Sequence, residues 1–313
     1  MAVETTGRDP FTIAVVPDTQ YAAASYPEVL TRQMRWLAAS RGRLNMVAVL
    51  QLGDIVNNVH APRQWRTART GYGYLDGKVP FIAAAGNHDE QDQGPDDPPY
   101  TKDPGPYNDF LRSFRSYHLD EVYVEHDYRN GYRLLTAGEV KLLVLTLDFG
   151  APDDVLAWAG RVADAHPLRH VVVVTHDYLG TDNAWRGATD REDKTLPHNN
   201  NPSLNDGVDM WNEFVRLHPN VQFVLNGHDI HPVSTTEPWA AGRLVSDNDA
   251  GRKVFQMLSN YQSVGPGGAG YLRLLTFRPE TGQVSVSTYS PYTRNHLTDD
   301  RNQFTLDGVD LGG

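Results

Sequence analysis

The chain has no cysteine in any of its 313 positions. That excludes disulfides, thiolate-bound metals and cysteine nucleophiles, so any chemistry must rest on carboxylate, imidazole, amide and hydroxyl groups. It does not fix a compartment. Positive charge is also scarce: 28 Lys and Arg stand against 39 Asp and Glu, a formal charge of −11. Gripping DNA or RNA along its backbone calls for a basic face, so a nucleic-acid polymer is not an expected partner. A small phosphorylated substrate remains compatible, because bound cations reverse the field at a single site. Long apolar runs are absent too. None approaches the roughly 20 residues of a membrane span, and Met1–Arg8 lacks the basic and apolar regions of a signal peptide. The chain therefore reads as soluble, and nothing in it points to a protein partner.

Hydrophobic residues make up 40% of the chain, ample for a core. Short β-branched runs at Phe11–Val16, Met46–Leu52, Phe81–Ala85, Leu142–Leu147, Val171–Thr175 and Val221–Leu225 read as buried strands of a largely parallel sheet. Helical stripes separate some of them. Ser25-Tyr26-Pro27-Glu28 resembles a capping box ahead of Leu30, Met34, Leu37 and Ala38 on one face. Val155, Ala159 and Val162 form a second stripe, and Val208, Trp211, Phe214 and Val215 a third. Polar stretches at about 89–106 and 177–206 predict inserted surface loops. Beyond Gly227 the pattern turns antiparallel, with strands at Leu272–Phe277 and Val284–Tyr289. These features predict one α/β domain over 9–295, followed by a tail, 296–313, with little to tie it to a core.

The candidate chemistry lies just past the strands. Asp18, Asp54, Asn87, Asp148, His176 and His228 follow the six runs in order. In open α/β sheets the crevice outside the carboxyl ends of the strands gathers functional groups from distant parts of the chain. Singly, Pro17-Asp18-Thr19-Gln20 and Leu52-Gly53-Asp54 read equally well as turns, and a lone His176 or His228 as a hydrogen-bonded structural histidine. Gly86-Asn87-His88-Asp89 is more specific: glycine allows a tight turn, Asn offers a neutral oxygen ligand and His suits proton transfer. Carboxylate, amide and imidazole together suit a hard or borderline divalent ion.

The ordered set Asp18-Thr19-Gln20, Gly53-Asp54, Gly86-Asn87-His88-Asp89, His176 and Gly227-His228-Asp229-Ile230-His231 resembles the calcineurin-like metallophosphoesterase family over residues 11–231. The resemblance implies an α/β fold of two facing mixed β-sheets flanked by helices. It implies two divalent metal ions, drawn from Mn, Fe, Zn, Co or Ni. Asp18, Gln20, Asp54 and a histidine after Gly227 would hold the first. Asp54 would bridge to the second, completed by Asn87, His176 and His228. A metal-bridging hydroxide would attack the phosphorus of a monoester or diester. His88 would protonate the leaving group, with Asp89 as partner of its other ring nitrogen.

Two departures stand out. Gln20 occupies a position where the family often has His. Two residues separate His228 from His231 where the family usually has one. Either the loop bulges so that His231 reaches the first ion, or water takes its place; the bulge is the expectation here, because Ile230 cannot coordinate. In the second insertion Arg186, Arg191, Lys194 and His198 are candidate contacts for a substrate phosphate, set against a solvated loop of scattered charge. The same departures motivate a rival reading, a catalytically weakened ligand-binding module on the same fold. Val15–Gln20 and Met257–Gln262 further resemble a bacterial branch that is often exported, which would imply a leader absent from this chain.

Overall fold

Residues 9–90, 102–189, 197, 201–231 and 236–312 are described by the structure, a computed structural model. The β-branched runs pair into two seven-stranded mixed sheets. In the first, β1 (Phe11–Val16), β2 (Met46–Gln51) and β3 (Phe81–Ala83) run parallel. Antiparallel to β1 lies β11 (Leu272–Arg278), then β12 (Gln283–Tyr289), which carries both β13 (His296–Leu297) and β14 (Phe304–Asp307). The second sheet has the order β4 (Glu121–Val124), β5 (Asp127–Ala137), β6 (Val140–Thr146), β7 (His170–Val174), β8 (Val221–Asn226), β10 (Lys253–Asn260) and β9 (Ala240–Asp247). Its central strands β6, β7, β8 and β10 are parallel neighbours. The single parallel sheet expected from the runs is thus divided between two layers, the first extended by antiparallel strands on one side and the second on both.

The sheets face each other across one core. Ile13, Val15, Leu50 and Ile82 from the first meet Val144, Val172, Phe223 and Met257 from the second. The alternate residues Ala14, Val16 and Val49 turn outward, where Leu30, Met34 and Leu37 of α2 (Pro27–Ser40) cover them. On the far side Val171, Val173 and Val224 pack against α6 (Asp153–Ala165) and α7 (Gly207–Glu213). Strands covered on both faces need no polar alternation, which is why they read as unbroken apolar runs. Each fully buried Val or Leu contributes roughly 1.5–3 kcal/mol.

Several expectations are corrected. Ser25 closes a separate helix, α1 (Gln20–Ser25), and α2 starts at Pro27 with Tyr26 as an N-cap that makes no side-chain bond, so the capping box is not formed. The loop expected at 89–106 is flanked by helices instead: Asp89 and Glu90 belong to α4 (Asn87–Glu90), and α5 (Gly105–Arg112) begins before its end. The start of the second insertion is built into the fold, with Tyr178 and Leu179 buried and Trp185 stacked 4.7 Å from Trp211. The tail is docked as well. β13 and β14 extend the first sheet, and Leu306, Val309 and Leu311 enter the core between the sheets. Three isolated apolar residues carry no periodic signal, so their burial could not be read from pattern. Among the described residues no helix is long and apolar enough to cross a membrane.

Candidate metal centre

At the carboxyl ends of β1, β2 and β7, one ligand atom each from Asp18, Asp54 and His176 falls within 4.8 Å of the others, all buried. The turns that deliver them are tight. Asp54 and His228 both adopt left-handed backbone, with φ +53° and +66°. Such strain on residues other than glycine costs about 1–2 kcal/mol each and persists where the surroundings over-determine it. The adjacent glycines admit no side chain: a Cβ on Gly86 would lie 2.2 Å from Asp54 Oδ1 and 2.9 Å from His176 Nε2. A Cβ on Gly227 would lie 2.2 Å from Asp18 Oδ1.

Each donor is aimed by a partner outside the cluster. His176 donates Nδ1–H to the Leu52 carbonyl at 2.8 Å, which turns Nε2 inward, 3.2 Å from Asp54 Oδ1. His228 Nδ1 stands 3.3 Å from the same Nε2. The outer nitrogen of His228 lies 3.9 Å from Asp177, whose carboxylate is held by Arg186 Nε at 3.3 Å. Phe149 packs on the rings of both histidines, at 5.9 and 5.2 Å between centroids. Asn260 donates Nδ2–H to Asp18 Oδ2 at 2.9 Å and to the His228 carbonyl at 3.3 Å. Gln20 donates its amide N–H to Gln262 Oε1.

Asp18 Oδ1, Gln20 Oε1 and Asn87 Oδ1 are buried acceptors left without a hydrogen-bond partner. A buried unsatisfied polar group costs about 1–3 kcal/mol, so the open acceptors of Asp18, of Gln20 two residues on and of Asn87 beside Gly86 are available to a ligand. The electrostatics point the same way. Burial pushes Asp18 up to about 8, its neighbour Asp54 adding to the rise and His176 opposing it. For Asp54 burial acts upward too, but His176 and His88 outweigh it and hold the carboxyl well below its usual range. Burial works against a charged His176, yet Asp54 raises it to about 10. Burial holds His228 well below its usual range, and His176 depresses it further. Asp54 draws a proton onto the buried His176 while burial holds Asp18 toward its neutral form, so a bound cation could take the place of those protons. Oxygen and imidazole donors without thiolate fit divalent ions.

The remaining candidates are distributed as follows. His88 is partly exposed; its backbone N–H donates to Asp54 Oδ1 at 3.0 Å and its Nδ1–H to the Asn57 carbonyl at 2.9 Å. Asp89 is not the partner of that ring. Its carboxylate accepts the backbone N–H groups of Ile55 at 2.9 Å, Val56 at 3.1 Å and Gly86 at 3.0 Å, because it is wholly buried beneath the turn. His231 is not brought in: its side chain is 64% exposed, and its ring and backbone N–H both go to Asp229 Oδ1, at 2.6 and 2.9 Å. Asp229, rather than the cluster, holds the ring in this structure. Arg186 is buried against Asp177 rather than solvated, while Arg191, Lys194 and His198 lie outside the described residues. Asp148, at the end of β6, is drawn into a charge network with Lys102 Nζ at 2.8 Å, and Arg129 in turn binds Glu90 at 2.8 Å. Asn260 and Gln262 were not among the expected site residues. They close the parallel strand β10, so the strand-end rule that found the others applies to them.

Two facing mixed sheets whose parallel strands bring carboxylates and an imidazole to one buried point define an α/β fold with a candidate metal centre. The model for calcineurin-like phosphoesterases matches residues 11–232, and the chain belongs to that family of metal-dependent phosphoesterases. It is 32% identical over 307 residues to the uncharacterized protein YvnB of Bacillus subtilis (strain 168), covering 96% of this chain and 21% of that protein. The chain thus spans about a fifth of that relative's length. Among solved structures it is similar in fold to the purple acid phosphatase PPD1 from yellow lupin (Lupinus luteus), with a TM-score of 0.57 and 11% identity over 99% of this chain and 55% of that one.

Proposed function

We propose that this chain hydrolyses small phosphate monoesters or diesters at a pair of divalent ions. The observation that carries the reading is the convergence of Asp18, Asp54 and His176 at the carboxyl ends of the parallel strands, with unpartnered buried oxygens on Asp18, Gln20 and Asn87 in the segments that follow those strands. Asp18, Asp54 and Gln20 would hold one ion, and Asp54, Asn87, His176 and His228 the other. Divalent ions bound there would supply Lewis acidity toward phosphoryl oxygens and an activated water. The protein's own part is orientation and proton transfer. Leu52 fixes the His176 tautomer through Nδ1, which leaves Nε2 free as the ligand atom. Phe149 shields both rings from water on one side.

His88 is the proton donor to the leaving group. Its Nδ1–H stays on the Asn57 carbonyl, so the proton that moves is carried on Nε2. Half-buried and tied by its backbone to Asp54, it is positioned beside the cluster without being needed as a ligand. The acidic chain favours a small diester, nucleotide or phosphorylated sugar over a nucleic-acid polymer. An exported location follows only from the bacterial resemblance.

The outward His231 favours a second reading, a ligand-binding module that keeps the fold without turnover. Metal-loaded protein assayed with nitrophenyl phosphate and bis-nitrophenyl phosphate separates the two. Turnover of either ester supports the hydrolase. Two bound ions with no turnover of any tested ester supports the module.

A further inference from the structure

At the end of the fold opposite the metal centre lies a cavity of about 460 Å³. Met46 and Val47 open β2, and Val79 and Pro80 immediately precede β3, so these walls mark the amino ends of strands whose carboxyl ends lead to Asp54 and Asn87. Leu134 and Leu135 of β5 form another wall. Among the described residues three cations line this largely apolar space, Arg41, Lys78 and Arg133, and no carboxylate does. In a chain of formal charge −11, positive charge alone is gathered here. Arg133 is the innermost of the three. Two residues from Leu135, it shares the strand face that packs on the core between the sheets. Its Nη1 is buried and has no hydrogen-bond partner. Burial works against its charge, while Asp120 and Tyr117 support it. Asp120 is committed elsewhere: one oxygen accepts the Leu134 N–H at 2.7 Å and the other faces His118 Nε2 at 3.5 Å. Arg41 bridges the rim, donating Nη1–H to the Lys78 carbonyl at 2.7 Å. A guanidinium does not shed its proton in a protein, so Arg133 either meets an anion or bears the cost of its burial alone.

We propose that this cavity binds a small organic monoanion, a carboxylate on an apolar body, with Arg133 gripping the carboxylate. Guanidinium and carboxylate match through two parallel N–H bonds, which gives the head group a fixed orientation. One inner guanidinium balances one negative charge, whereas a phosphate monoester brings about −1.5 to −2. Met46, Val79 and Leu135 supply apolar surface for the body of the ligand, and the volume lies within the range of about 300–1,000 Å³ usual for small-molecule sites. Arg41 and Lys78 add a positive rim that draws an anion in. The cavity shares no lining residue with the Asp18, Asp54 and His176 cluster, so the inference stands apart from the hydrolase reading.

The test is calorimetric titration of the full chain with decanoate below its micelle concentration, beside decanol and inorganic phosphate. Decanoate is expected to bind at about one per chain, and decanol, which lacks the charge, on the order of tenfold more weakly or worse. Inorganic phosphate, which lacks the apolar body, is expected to bind more weakly than decanoate. Arg133→Met is expected to lose decanoate affinity by on the order of tenfold or more. Without ligand its melting temperature is expected to hold or rise, because the exchange removes an unpartnered charge and keeps the apolar stem. Thr136→Trp, an exposed lining position filled with a bulky ring, is expected to block decanoate while leaving Arg133 in place. Undiminished decanoate binding in folded Arg133→Met would overturn the inference, as would equal affinity for decanol or a preference for inorganic phosphate. Should Arg133→Met fail to fold, decanoate binding retained in Thr136→Trp would overturn it instead.

Discussion

Two glycine-led turns border the same crevice, and each carries an aspartate that captures backbone amides; only the second also holds a histidine ring. In Gly86-Asn87-His88-Asp89 the aspartate folds under the turn and accepts three backbone N–H groups, from Gly86, Ile55 and Val56. That ties β2's turn to β3's and fixes the backbone that carries Asn87 and His88, whose N–H reaches Asp54. In Gly227-His228-Asp229-Ile230-His231 the aspartate also accepts backbone N–H groups, but from Thr181 and from His231 itself. Its second gain is the His231 ring, at 2.6 Å. The first capture organises the site, and the second removes a histidine from it. Residue type and spacing are similar in the two turns; what differs is which amides lie within reach.

The comparison predicts unequal consequences. Asp89→Ala should be the most damaging change in either turn, since it strands three buried N–H groups; a loss of about 3 kcal/mol or more is expected. Chemical denaturation would show it, together with loss of bound metal as Asn87 and Asp54 drift apart. A stable, fully loaded Asp89→Ala protein would mean the turn holds without its anchor.

His88→Ala should spare stability and metal while slowing hydrolysis by about 10²–10⁴-fold. The loss should be greater for an alkyl ester than for a nitrophenyl ester, whose leaving group needs little protonation. Equal losses would point to positioning alone.

The smallest effect is expected at His231. With its side chain 64% exposed, His231→Ala should leave metal content unchanged and alter stability by less than about 0.5 kcal/mol. Loss of one ion from this variant, read by elemental analysis, would show that the loop rearranges on metal binding.

Much of this was legible in the sequence. The runs that became β1, β2, β6, β7 and β8 are buried on both faces, so their apolar continuity revealed both the strands and the polar residues at their ends. β10 escaped because Gln256 and Ser259 interrupt its run, although both are buried: Gln256 accepts hydrogen bonds from Tyr178 and Trp185. With the strand went Asn260 and Gln262. The His231 expectation followed ligand count and had no means of weighing Asp229, whose grip depends on geometry two residues wide. The docked tail went unseen because its partners lie far away in sequence, and the buried Arg186 because no local period encodes its pairing with Asp177.

The account stands most directly on Asp54, the carboxylate that touches His176 at 3.2 Å and the His88 N–H at 3.0 Å. Metal content and bis-nitrophenyl phosphate turnover should be measured side by side on the native chain and on Asp54→Ala. Both are expected to collapse together in the variant, with its fold retained by circular dichroism. Native turnover in folded Asp54→Ala would contradict the account and place the chemistry elsewhere in the molecule.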